Sequence, residues 1–282
     1  MTASAKKKEA KQTCETMLKL YTDSTHIIFT PRCNFAIKIA LLIAKKLKRE
    51  HALIQEEGGW MTYEKYSKQA NLEPIRLTTI DGIINEKELA YFAQDSVLLI
   101  NSLAAYCASH DMDSISTECI VNDILLINDV SGSIGSQECK QGDMIVGSFG
   151  KAKPVPLGKG GFFATNNSEF AKLFIKCAKE EDKDFQEEEL DFVTLQKHLE
   201  KLPQRIKFLQ QRCEGIKKDL KDLDIVHEKK QGLNTIIRFS NDDEKQRIIN
   251  YCKHNNLEYT VCPREIRILK EAISIEVKRL EE

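Results

Sequence analysis

The chain has 282 residues, 41% hydrophobic and 30% charged, with a formal net charge of −1. That length suffices for one large and one smaller domain, each with its own core. The balanced charge gives no electrostatic footprint for nucleic acid, and no apolar run reaches the ~20 residues of a bilayer span.

The lysine-rich N-terminus, residues 1–12, leads into no apolar stretch and reads as neither signal peptide nor membrane anchor. Residues 27–29 form a short β-like run. Residues 34–47 (NFAIKIALLIAKKL) are apolar on nearly every side, which predicts a deeply buried helix. A strand at 52–54, a helix at 86–92 and continuous apolar strands at 97–100, 124–127 and 144–146 follow. Such strands between helices predict a mostly parallel sheet covered on both faces, a three-layer α/β/α domain. Ligands of these sheets sit at the carboxyl ends of the strands. Asn101 and Ser102, Asn128 and Asp129, and Ser148 fall there.

Beyond Gly160-Gly161 the pattern changes. Residues 168–180 predict a capped helix, and 187–223 a long heptad-like helix in which Pro203 predicts a kink or a division into two. The charge-rich run 180–189 reads as a solvated face. The tail predicts strands at 235–239, 258–261, 265–269 and 273–277 around a helix at 242–254, a small α+β domain. The expected division is a large domain over 1–185 and a small one over 186–282. The nine cysteines are scattered, with no CxxC pair and no zinc-ligand spacing. They read as reduced and buried in a cytoplasmic protein, and no metal is expected.

Residues 147–165 (GSFGKAKPVPLGKGGFFAT) carry the chemistry. A strand ends, a lysine follows, and a glycine-rich turn leads into the next apolar run. A lysine on such a short loop over the ligand edge is expected to be partly desolvated. Desolvation lowers its pKa and frees the amine for Schiff-base chemistry. Residues 124–135 (ILLINDVSGSIG) place Asp129 at a strand end before small residues, where a carboxylate suits a ligand cation. Each residue also has a plain reading: a loop lysine, a helix-capping aspartate, and, for Trp60, a packing or interface side chain.

The two segments together resemble the fold-type-I pyridoxal-phosphate (PLP) enzymes, in particular the DegT-like (DegT/StrS) aminotransferases. Ser148-Phe149, Lys153 and the turn Gly158-Lys159-Gly160-Gly161 fall on that family's Ser-Phe, Schiff-base lysine and glycine turn. Lys151 competes for the lysine position and loses on the register of the turn. The resemblance implies that Lys153 is catalytic and Asp129 pairs with the pyridinium nitrogen. It puts Trp60 over the ring, and Cys33, Asn34 and Ser148 around the phosphate, with Ser131 and Asn101 beside the cofactor. It implies a substrate carboxylate on an arginine of the small domain, and Arg264 is chosen from Arg264, Arg267 and Arg279. A small-molecule amino donor, an oxo or keto acceptor and a homodimer are implied with it. The sequence departs from the family at Cys33-Asn34, where Gly-Thr is usual, at Gly132, usually Gln or His, and at Lys159, usually an acid. A PLP-dependent lyase or desulfurase, or a non-catalytic relative, stays open beside transamination.

Overall fold

The computed structural model describes residues 3–92, 95–183, 185 and 190–281. Part of the charge-rich run (184 and 186–189), the start of the predicted long helix and the point of the predicted domain division lie outside or against that limit.

Seven strands make the central sheet: β1 (His26–Thr30), β2 (His51–Gln55), β3 (Glu73–Leu77), β4 (Ser96–Asn101), β5 (Leu125–Asp129), β6 (Met144–Ser148) and β7 (Gly161–Thr165). Their order is β1-β7-β6-β5-β4-β2-β3. From β6 to β3 every pairing is parallel, and β7 runs antiparallel to β1 and β6. Alternate side chains feed the two faces, as a sheet period of two requires. Val97 and Leu99 pack with α2 (Cys33–Lys46), α3 (Tyr63–Gln69) and α5 (Ser168–Glu181), while Leu98 and Ile100 pack with α4 (Met112–Val121) on the other side. The three layers and the largely parallel sheet are those the apolar strands predict.

Two features of the outer layer differ from the sequence reading. The N-terminus is a 20-residue helix, α1 (Ala3–Thr22), whose Ala10, Cys14 and Leu18 form a buried stripe. The stripe packs against Leu195, Leu199 and Leu202 of α6 (Phe192–Asp219). Residues Glu86–Tyr91 form a 3-10 helix rather than an α-helix.

Helix α6 passes through Pro203 without dividing. Proline lacks the N–H that would bond the carbonyl four residues back, that of Leu199. The Tyr21 hydroxyl of α1 donates to the Leu199 carbonyl at 3.0 Å and supplies the missing partner. The first half of α6 packs in the core of the large sheet. Its second half (Leu209, Cys213, Ile216) packs with α7 (Asp242–His254) under a second sheet. That sheet has β8 (Asp224–Ile225), β9 (Thr235–Arg238), β10 (Tyr259–Cys262) and β11 (Ala272–Ile275), in the antiparallel order β8-β9-β11-β10. The strand predicted at 265–269 is instead a turn. Arg264 N–H donates to the Ile268 carbonyl at 2.9 Å and Arg267 N–H to the Arg264 carbonyl at 2.8 Å.

All nine cysteines are free and buried. Among the described residues no helix is long and apolar enough to cross a membrane.

Tyr21→Phe is expected to leave the Leu199 carbonyl without a partner and to lower stability by about 1 kcal/mol. Urea unfolding checks this as a lower midpoint at an unchanged slope.

Candidate active site

The carboxyl ends of β1, β2, β5 and β6 share one edge of the sheet with the loops that follow them. There a cavity of about 460 Å³ is lined by Cys33, Asn34, Trp60, Asp129, Ser131, Ser148 and Lys153, with Arg32, Lys151 and Lys159 at its walls.

Lys153 is brought in by the loop from β6 to β7. Phe149 anchors it, buried and stacked on Phe162 with centroids 5.5 Å apart. Phe149 N–H donates to Gly160, Gly158 N–H to Phe149 and Lys153 N–H to Gly150, at 3.1, 2.8 and 3.1 Å. The Lys153 ammonium donates to the Tyr106 hydroxyl and lies 5.0 Å from the Trp60 ring centroid. Lys151, two residues earlier, keeps an exposed side chain.

Burial opposes the Lys153 charge. Tyr106 and Asp129 outweigh it, and the Lys153 pKa lies above the ordinary lysine value. The sequence reading expects a lowered value from desolvation alone. The difference is that a carboxylate lines the cavity with the amine and a phenol behind it takes its hydrogen bond.

Asp129, at the end of β5, is buried. Its Oδ1 accepts the Ser131 N–H at 3.0 Å and its Oδ2 accepts the Tyr63 hydroxyl at 2.7 Å. Burial first, and Asp129 next, hold the Tyr63 pKa well above the ordinary tyrosine value, so the hydroxyl stays a donor. Trp60 is fixed through its indole N–H, which donates to Asn34 Oδ1 at 2.9 Å. Cys33 Sγ lies 3.5 Å from Ser131 Oγ, and burial and Asp129 push its thiol pKa well up. It is a neutral wall of the cavity.

The N-terminus of α2 opens on the same cavity. Arg32, at its cap, makes no side-chain capping bond. The first N–H groups of a 14-residue helix, with its dipole, suit an anion. A Cβ on Gly161 would lie 2.6 Å from both the Cys33 nitrogen and the Gly147 carbonyl oxygen. Glycine there lets the helix start sit against the sheet edge.

Two of the expected residues are not in the cavity. Asn101 is spent on its own neighbourhood. Its side-chain oxygen accepts the Leu103 N–H at 3.2 Å, and its amide donates to the Gly58 carbonyl at 3.5 Å. It braces the loop that carries Trp60. Arg264 is exposed, because the turn over 264–268 directs it outward. Arg267 takes the inward position. Its Nε and a terminal nitrogen bind Glu276 at 2.9 and 2.7 Å, so its fork is already filled.

Sequence reasoning also passes over Tyr63 and Tyr106. The Tyr106 ring is buried, with the Lys278 ammonium 4.7 Å and the Arg267 guanidinium 5.4 Å from its centroid. Glu276, fully buried in the small domain, holds both cations. No local pattern announces either tyrosine, since each meets its partner through long-range packing.

The structure has close likenesses among solved structures. Helicobacter pylori PseC, an aminotransferase of pseudoaminic acid biosynthesis, superposes with a TM-score of 0.74 at 16% identity, covering 95% of this chain and 85% of that one. A DegT DnrJ EryC1 StrS aminotransferase from Brucella abortus has a TM-score of 0.74 at 15% identity, covering 95% and 84%. The E. coli GDP-4-keto-6-deoxy-D-mannose-3-dehydratase with bound hydrated PLP has the same TM-score at 15% identity, covering 94% and 86%. The chain shares the fold of these enzymes, the α/β architecture of fold type I. In sequence, residues 203–282 match the family described as MJ1341 family C-terminal domain. No curated protein matches the chain.

Burial works against the Glu276 carboxylate, but Arg267 and Lys278 hold its pKa well below the ordinary value near 4.5. A depressed carboxylate contributes stability that is full above the unfolded value and is lost as pH falls below it. Glu276→Gln is therefore expected to cost about 3–5 kcal/mol at neutral pH, by leaving two buried cations uncompensated. It is also expected to flatten the loss of stability below about pH 4.5. Denaturant titrations of both proteins across pH 3–7 check the size and the slope.

Proposed function

We propose that the protein is a PLP-dependent aminotransferase with Lys153 as its catalytic amine. One observation carries the reading: a single cavity holds the Lys153 amine, the Asp129 carboxylate, the Trp60 ring and an uncapped helix N-terminus. These are the groups that an aldehyde, a ring nitrogen, a ring face and a phosphate require.

The group supplies an electron sink that stabilises negative charge at a substrate's α-carbon. The chain does the rest. The first N–H groups of α2, with Ser148, receive the phosphate. Asp129 would accept the ring N–H and favour its protonated form, and Tyr63 and the Ser131 N–H hold that carboxylate in place. Trp60 covers one ring face and excludes water from it. Lys153 Nζ takes the proton from the substrate's α-carbon and returns it later. Arg32, Lys151 and Lys159 give the cavity mouth a positive charge that suits an anionic phosphate or carboxylate.

Transamination is favoured over desulfuration because a desulfurase needs an exposed, mobile thiol, and every cysteine here is buried. The substrates are a small-molecule amino donor and an oxo or keto acceptor. The same reading takes the working form to be a cytoplasmic homodimer, which sedimentation equilibrium of the purified protein tests.

Purified protein given PLP is expected to show a band near 420 nm that borohydride removes and that Lys153→Ala lacks. No band in the wild type sinks the reading. A panel of amino acids is expected to convert the band to one near 330 nm if the reaction is amino transfer, whereas release of a keto acid without that conversion marks a lyase. Asp129→Asn is expected to keep the fold and lose on the order of a hundredfold or more in kcat, as loss of one preorganised charge at a reacting centre does.

A further inference from the structure

We propose that Tyr106 is a positioning residue for the Lys153 amine. Its hydroxyl holds the amine at the Trp60 face, its ring occupies the space that a side chain at position 132 would need, and the small domain fixes that ring from behind. The inference rests on Lys153 being the working amine of the cavity.

The backbone gives the first argument. Tyr106 sits in a tight hairpin between Leu103–Ala104 and Ala108–Ser109, and two of its three turn residues, Ala105 and Tyr106, have positive φ, 51° and 63°. Such turns favour glycine, asparagine or aspartate at these positions, and a non-glycine residue there is strained. Strain of this kind persists where the surroundings determine it. Here Ala105 N–H donates to Gly58 at 2.9 Å, and the Tyr106 carbonyl accepts from Leu233 and Asn234 at 2.8 and 2.9 Å. The hairpin is held by the Trp60 loop on one side and by the small domain on the other.

Space gives the second. A Cβ on Gly132 would lie 2.9 Å from two carbons of the Tyr106 ring, closer than real side chains approach. Gly132 follows the Asp129 strand by three residues, so the Tyr106 ring lies beside the same wall. The third is the cluster behind the ring. Arg267 and Lys278, joined by Glu276, face it, while Lys153 bonds its hydroxyl. The titratable groups around the Lys153 amine are thus Tyr106 from the hairpin, Asp129 from β5 and Cys33 from α2, with Lys151 and Lys159 at the mouth.

The test reads the amine directly in protein freed of PLP. Lys153 is labelled with limiting acetic anhydride across a pH series, and mass spectrometry compares its peptide with the one carrying exposed Lys65. Tyr106→Phe keeps the ring and removes the hydroxyl. It is expected to raise Lys153 labelling at a fixed pH roughly three- to tenfold, the range that one hydrogen bond supports. It is also expected to move the labelling midpoint down, with the thermal midpoint near wild type. Gly132→Gln keeps the hydroxyl but displaces the ring, and is expected to move Lys153 labelling the same way. If Tyr106→Phe labels as the wild type does across the series, Tyr106 is core packing and the proposal falls. This readout needs no bound PLP, so a protein that shows no band near 420 nm defeats the functional reading while the labelling still decides the role of Tyr106.

Discussion

The candidate site is organised around one half-buried charge. The Lys153 ammonium is withdrawn from most of its water, and such a group persists only with compensating partners. Here they come from three directions: the Asp129 carboxylate, the Tyr106 hydroxyl and the face of Trp60. Each arrives on a different part of the chain, and each is held by something further out. Asp129 is held by Tyr63 and Ser131, Trp60 by Asn34, and Tyr106 by the hairpin and the small domain. The parallel sheet makes this convergence possible, because it gathers its strand ends on one edge.

Two glycines, one at a departure from the resembled family and one inside its glycine turn, explain how neighbouring segments share the cavity wall. At Gly132 the emptied volume is taken by the Tyr106 ring from another segment. At Gly161 the absent Cβ lets the α2 N-terminus lie against the sheet, so the end of the helix whose free N–H groups suit an anion reaches the cavity although its first residues are Cys33 and Asn34. Backbone N–H groups do not depend on the side chain that follows them. Replacing Gly-Thr with Cys-Asn therefore changes the hydroxyl contribution and leaves the dipole and donors of the helix in place.

The layers, the parallel strands and the convergence of Lys153, Asp129, Trp60 and Ser148 on one cavity were legible in the sequence. The layers and Lys153, Asp129 and Ser148 rest on local signals, namely apolar runs, strand-end polar residues and a glycine turn, whereas Trp60 was placed only by the family resemblance. The misses have the opposite character. Arg264 and Arg267 look alike in sequence, and only the turn over 264–268, closed by long-range pairing with Glu276, decides which one faces inward. Asn101 stands at a strand end as the site residues do, but its side chain is captured by the Gly58 and Leu103 backbone. The α1 stripe at Ala10, Cys14 and Leu18 had a readable helical period, which its lysine-rich surroundings masked. Tyr63 and Tyr106 had no local signal at all.

The Glu276 cluster shows how the segment carrying the second sheet bears on the cavity of the first. Burial, only partly offset by Glu276, lowers the Lys278 pKa to about 8. The small domain thus places a marginally held ammonium and a guanidinium against the ring whose hydroxyl meets Lys153. Hydrophobic packing alone would have filled that volume at lower desolvation cost. A charged cluster does something packing does not: its geometry is directional, so the ring is fixed in angle as well as in place. Leu233 and Asn234 also bond the Tyr106 carbonyl, so the backbone of the hairpin is tied to the segment that enters the second sheet. The hydroxyl that bonds Lys153 thus depends on residues 233–278, none of which lines the cavity itself.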